Sequence, residues 1–112
     1  MKYAFTAKGE TWDAEIDPRF GRTDFLLIYD DETDTLSARD NRSIENVAHG
    51  AGTKTAANLF ELKPEILITG NGPGENARQA LAHLSLKIYI GAAGMTVKEA
   101  FEAYKTSSLT AF

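Results

Sequence analysis

The sequence contains no cysteine. The chain therefore has no disulfide, no thiolate-held zinc, no cysteine-ligated iron–sulfur cluster and no cysteine nucleophile. A soft metal centre must be held by other means. Net positive charge is lacking as well: the formal charge is −4 and the pI is near 5.1. Nucleic acids and anionic membranes attract proteins through a summed positive field, so neither is an expected partner. Long apolar runs are absent too, none approaching the roughly 20 residues that span a bilayer. The opening MKYAFTAKGE turns to charge too soon for a signal peptide, so a cytoplasmic protein is expected. Only 3 prolines occur, and they punctuate periodic segments instead of forming a linker.

What is present suits one packed core. The 112 residues are 43% hydrophobic and 10% aromatic, and a single domain over 1–112 is expected. KYAFTA (2–7), FLLIYD (25–30) and TLSARDN (35–41) are short runs of strand type, the last two joined as a hairpin by DETD. After residue 41 the period changes. GTKTAANLFELK (52–63) places Ala56, Leu59, Phe60 and Lys63 at helical spacing before Pro64 stops it, and EILITG (65–70) is a strand. ENARQALAHL (75–84) has Ala77, Ala80, Leu81 and Leu84 on one face and precedes the strand KIYIG (87–91). Thr96 and Glu99 form a capping box that opens a last helix with Val97, Ala100, Phe101 and Tyr104 as its apolar stripe; a short polar tail follows.

This order predicts a three-layer α/β domain, a hairpin followed by parallel strands joined through right-handed crossovers. The C-terminal ends of strands one, three, four and five then share an edge with the start of the reversed second strand, and open sheets bind ligands there. The loop DPRFGR brings Arg19, Phe20, Gly21 and Arg22 to that edge. His49, Gly50, Gly52 and Lys54 reach it before the first helix, and TGNGPGEN brings Asn71, Gly72 and Gly74. GAAGMT supplies a third glycine loop entering a helix. Three helix starts, each worth about half a positive charge, together with two guanidiniums, an imidazole and glycine-lined amides, make an anion site; Phe20 offers cover for an apolar face. His49 is the candidate metal ligand, and no activated nucleophile is present.

Plainer explanations stand beside each piece. Glycines suit strand-to-helix turns by themselves, and Asp17 and Asp24 offer ion-pair partners for Arg19 and Arg22. His83, on a helix otherwise Ala and Leu inward, suits the surface or a satisfied core position. Trp12 among Asp13, Glu15 and Asp17 fits a solvated edge better than a carboxylate metal site.

PRFGRTDFLLIYD, NVAHGAGTKTAANLFE, ILITGNGPGENARQAL and KIYIGAAGMTVKEAFEAY, in that order, resemble the nitrogenase accessory factor family. This family of dinitrogenase iron–molybdenum cofactor biosynthesis domains includes NifX, NafY, the C-terminal part of NifB and small stand-alone members. The resemblance implies a ribonuclease H-like α/β/α fold with a five-stranded mixed sheet, order 3-2-1-4-5, strand 2 antiparallel. It implies a non-enzymatic carrier of an anionic metal–sulfur cluster, iron–molybdenum cofactor or another molybdenum or iron sulfide, held noncovalently. Nitrogenase-linked relatives often carry a histidine just before the Phe-Gly pair; Arg19 replaces that metal bond with a charge contact. Two alternatives remain at this level: a metal-dependent hydrolase, for which strands one and four lack an inward acid, and an interaction scaffold in metal-cofactor assembly. A metal-assembly ATPase is the expected protein partner, and the chain is expected as monomer or homodimer.

Overall fold

The computed structural model describes residues 1–43 and 50–112. Along the chain come β1 (Lys2–Ala7), β2 (Phe25–Asp30), β3 (Thr35–Asp40), α1 (Ala51–Leu62), β4 (Ile66–Ile68), α2 (Glu75–Leu81), β5 (Lys87–Ile90), α3 (Val97–Lys105) and β6 (Thr110–Ala111). The strands form one mixed sheet in the order β3-β2-β1-β4-β5-β6. β2 runs antiparallel to β1 and β3, while β4 is parallel to β1 and β5 parallel to β4.

The expected order 3-2-1-4-5 is therefore present, but the expected count of five strands is corrected to six. The residues expected as a polar tail form β6 antiparallel to β5, and the Phe112 amide continues the contact by donating to Ile88 O at 2.8 Å. The reason is the row of unmade hydrogen bonds that β5 would otherwise expose at the sheet edge. Composition gives no hint of it, since Thr110–Ala111 is too short to show a period. At the other edge β3 keeps a mostly exposed, polar face.

Alternation along the strands builds two cores. On one face Ala4, Leu26, Ile28 and Leu67 pack under Ala56 and Leu59 of α1 and Ala77 and Leu81 of α2. On the other, Tyr3, Phe5, Leu27 and Ile68 lie under Val97 and Ala100 of α3. β4 is buried on both faces, as a central parallel strand between helices must be. Phe5, Leu26, Leu59 and Leu67 are wholly inaccessible, and each such side chain contributes roughly 1.5–3 kcal/mol from burial. Trp12 turns inward onto Tyr29 (5.0 Å between ring centres), and Phe101 meets Tyr3 at 4.9 Å.

Two local expectations change. α2 stops at Leu81 instead of continuing to Leu84, although Leu84 still packs against the core from the turn beyond it. Asp13 and Glu15 are exposed, as a solvated edge requires, but Asp17 is fully buried. His83 is exposed, as expected, but it lies in the turn beyond α2 and not on the helix itself.

Candidate anion site at the edge of the sheet

The loop between β1 and β2 is clasped to the body from several sides. Thr6 Oγ1 donates to Asp17 O at 2.8 Å, and the Asn71 amide donates to Pro18 O at 2.9 Å. Gly70 is required where β4 meets this loop, because a Cβ there would lie 2.6 Å from Pro18 Cα. A side chain at 70 would push the loop off the sheet edge. Phe20 fastens the middle: its ring is 2% exposed and sits in the helix-side core. The ring therefore faces the body and not the mouth of the site, which differs from the expected cover over a ligand.

Turning Phe20 inward leaves Arg19, Gly21 and Arg22 along one wall of a cavity of about 380 Å³. The opposite walls are the first turn of α1, Gly50 to Thr53, and the start of α2, Gly74 to Ala77. Gly21 and Gly52 allow the two walls to meet, since a Cβ on Gly21 would come within 3.1 Å of Gly52 Cα. Gly50 caps α1 with φ 77°, a left-handed conformation that glycine adopts without strain, and among the described residues no side chain caps that helix. Twelve residues of aligned peptide dipoles thus begin at the cavity wall, and a helix start favours negative charge.

Arg19 is oriented by a carboxylate beneath it. Its Nε lies 3.2 Å from Asp17 Oδ1 and its Nη2 3.2 Å from Oδ2, while Asp24 stands 4.0 Å away. Asp17 also accepts from the backbone amides of Arg19 (3.0 Å) and Asp24 (3.2 Å). The ion pair anticipated as a plainer explanation is real, and it leaves the Arg19 side chain half exposed at the cavity.

Of the predicted site residues, the structure brings Arg19, Gly21, Arg22, Gly50, Gly52 and Gly74 around one cavity. Asn71 and Gly72 lie outside its walls. Asn71 serves the loop through its amide, and Gly72 receives the Phe112 ring, which would overlap any Cβ there. Lys54 is exposed and does not line the space. His49 falls outside the described residues.

The third helix start does not contribute either. The Val97 and Lys98 amides donate to Ala14 O (2.8 Å) and Trp12 O (3.0 Å), and the Glu99 amide donates to Thr96 Oγ1 (3.1 Å). The Thr96 amide in turn donates to the Glu99 carboxylate at 2.9 Å, which holds the Glu99 pKa below the ordinary value. The first two donors tie α3 to the β1–β2 loop, the third closes its own cap, and all are spent on the fold. Conversely, Thr53, Glu75 and Asn76 line the cavity without having been anticipated. Their positions at the first helical turns after Gly52 and Gly74 are the only sequence signal for them. Glu75 sets a negative group on the α2 side, so the positive character lies toward Arg22 and α1.

The family model described as dinitrogenase iron–molybdenum cofactor matches residues 1–107. The apo orange protein of Desulfovibrio gigas superposes with a TM-score of 0.92 at 31% identity, over 99% of this chain and 92% of that one. A NifB-type protein from Thermotoga gives 0.83 at 30% identity, over 98% and 91%. A dinitrogenase-type protein of Methanocaldococcus jannaschii, 19% identical with a TM-score of 0.64 over 100% and 94%, shares the fold. No curated protein matches the chain. With nearly its whole length matched, the chain belongs to the dinitrogenase iron–molybdenum cofactor family.

Proposed function

We propose that the protein is a non-enzymatic carrier that holds an anionic metal–sulfur cluster noncovalently, as cargo, in the cavity between Arg22 and the start of α1. The observation that carries this reading is the convergence of Arg19, Arg22 and the first turn of α1 on one 380 Å³ space in a chain of net charge −4. Guanidinium groups donate in a fork to oxo or sulfido atoms, and a helix start adds partial positive charge without a counterion. The cavity is large enough for a compact cluster. Family membership and the likeness to the orange protein support the same reading. His49 directly precedes Gly50 in the chain and is the proposed imidazole ligand of the cargo metal.

A ribonuclease H-like hydrolase would need clustered carboxylates for its metal ions. Among the described residues no group of three or more His, Cys, Asp or Glu is placed to hold one, so no observation favours that reading. No helix among them is long and apolar enough to cross a membrane. A metal-assembly ATPase remains the proposed protein partner.

Anoxic titration of the purified protein with tetrathiomolybdate, followed by visible absorption and circular dichroism, tests the proposal. Saturable binding with induced dichroism is expected for the wild type, and weaker binding for Arg22→Ala. A wild-type protein that takes up neither tetrathiomolybdate nor iron–molybdenum cofactor would end this reading.

A further inference from the structure

Behind the cavity wall lies a buried polar chain that neither the family motifs nor the charge pattern points to. Thr55, in the second turn of α1, is fully buried, and its hydroxyl donates to Gly21 O at 2.6 Å. The same hydroxyl accepts from Asn41 Nδ2 at 3.0 Å, and that amide nitrogen also donates to Thr23 O at 3.0 Å. Asn41 is 1% exposed, and its Oδ1 accepts from Asn58 Nδ2 at 2.7 Å, which fixes the orientation of its amide. The Asn41 backbone amide completes the clasp by donating to Asp24 O at 2.8 Å.

We propose that Thr55, held by Asn41 and Asn58, is a positioning residue for the cavity: its hydroxyl binds the Gly21 carbonyl and keeps that oxygen off the space the cargo occupies. The inference rests on the carrier reading above. Gly21 lines the cavity and its carbonyl carries partial negative charge, so an oxygen released toward the lumen would repel an anion. The Thr55 hydroxyl removes that oxygen in two ways. It neutralises part of the charge, and it pulls the loop down so that Gly21 rests on Gly52, where there is no room for a side chain. Arg22, the next residue, is thereby set over the first turn of α1. Acceptance from Asn41 polarises the hydroxyl and strengthens its donation to Gly21. A largely buried polar network is costly unless every member is satisfied; here no buried side-chain nitrogen or oxygen among the described residues lacks a partner, and the chain ends at the loop that carries Arg19 and Arg22.

Thr55→Val keeps the shape and removes the donor, Thr55→Ser keeps the donor and removes the methyl, and Leu59→Val loosens the same helix-side core one turn further on while leaving the bond to Gly21 O in place. With all proteins at a temperature where they are folded, tetrathiomolybdate affinity is expected to fall about tenfold in Thr55→Val, because the released carbonyl oxygen faces the anion. Thr55→Ser is expected to recover most of it, and Leu59→Val to bind like wild type. Equal affinity in Thr55→Val and wild type, or an equal loss in Leu59→Val, would overturn the inference. Amide NMR signals of Gly21 and Arg22 read the positioning without any cargo. They are expected to shift and broaden in Thr55→Val and not in Leu59→Val, and their constancy would equally overturn it. If the wild type takes up no tetrathiomolybdate, the carrier reading loses that support while the loop signals still decide the role of Thr55.

Discussion

Asp17 and Arg19 face each other through a two-pronged ion pair, with both N–O distances at 3.2 Å; the carboxylate is wholly buried and the guanidinium side chain is 52% exposed. The pair is asymmetric by design of the backbone. The short Asp-Pro-Arg turn places the acid under the loop, where two further amides reach it, and leaves the base at the cavity. Asp17→Asn keeps the volume and loses the charge that four donors share. We expect unfolding free energy to drop by about 1–3 kcal/mol, since hydrogen bonds to a buried charged acceptor are being weakened. Urea unfolding at neutral pH measures it.

The glycines around the site divide sharply when an alanine methyl is placed on each. At Gly70 the methyl meets Pro18 backbone at 2.6 Å, whereas at Gly74 it meets nothing within 4 Å and φ is −67°. Gly70→Ala is expected to cost about 1–3 kcal/mol or more through forced displacement of the loop. Gly74→Ala should cost less than about 1 kcal/mol, through poorer capping of α2 and not through any clash. Denaturant midpoints of the two variants check the contrast, and a large loss in Gly74→Ala would contradict the open geometry.

Asp40, at the end of β3, accepts from the Arg42 guanidinium at 2.8 and 3.1 Å and from the Arg42 amide at 2.9 Å. These side-chain bonds first, and the backbone bond second, lower its pKa from 3.8 to about 2. A carboxyl held below its unfolded value favours the folded state above that value, and the contribution disappears as pH falls from about 3.8 through about 2. Carbon-detected NMR titration of Asp40 should report the depressed value. Arg42→Gln should return it toward the ordinary range and flatten the difference in stability between neutral and acid solution.

Cargo binding should weaken with salt. Raising ionic strength from about 0.1 to 1 M shortens the screening length from about 10 Å to about 3 Å, so tetrathiomolybdate affinity should drop along with it. Arg22→Ala should both bind about tenfold more weakly, as for loss of one charge-assisted contact, and show a shallower salt dependence. A salt-independent affinity in the wild type would mean that contact with the guanidiniums is not what holds the anion.

Much of the sheet was legible because its signals are local. FLLIYD and EILITG read as strands from their β-branched and aromatic content, and the Thr96–Glu99 box marked the start of α3 to the residue. The edge where the arginines gather also followed from strand direction alone. What did not follow was the direction of individual side chains in that loop. Phe20 reads from the sequence as cover for an apolar face of the ligand, yet a ring adjoining the helix-side core gains more by burial than by covering a wet cavity. The α3 amides looked available because a glycine loop precedes them, yet the carbonyls of residues 12 and 14, far from them in sequence, had already taken them.

Taken alone, the order of residues determined the alternation of strand and helix, the antiparallel second strand and the gathering of Arg19, Arg22 and the glycine turns at one edge, because period, capping and chain direction act over a few residues. The tertiary structure decided which of those groups share a cavity, that Asp17 is buried beneath Arg19, and that Asn41, Thr55 and Asn58 join to hold Gly21. The last of these depends on segments 14 to 34 residues apart meeting in the interior, where an unsatisfied polar group is expensive and the partner is chosen by packing rather than by neighbourhood in the chain.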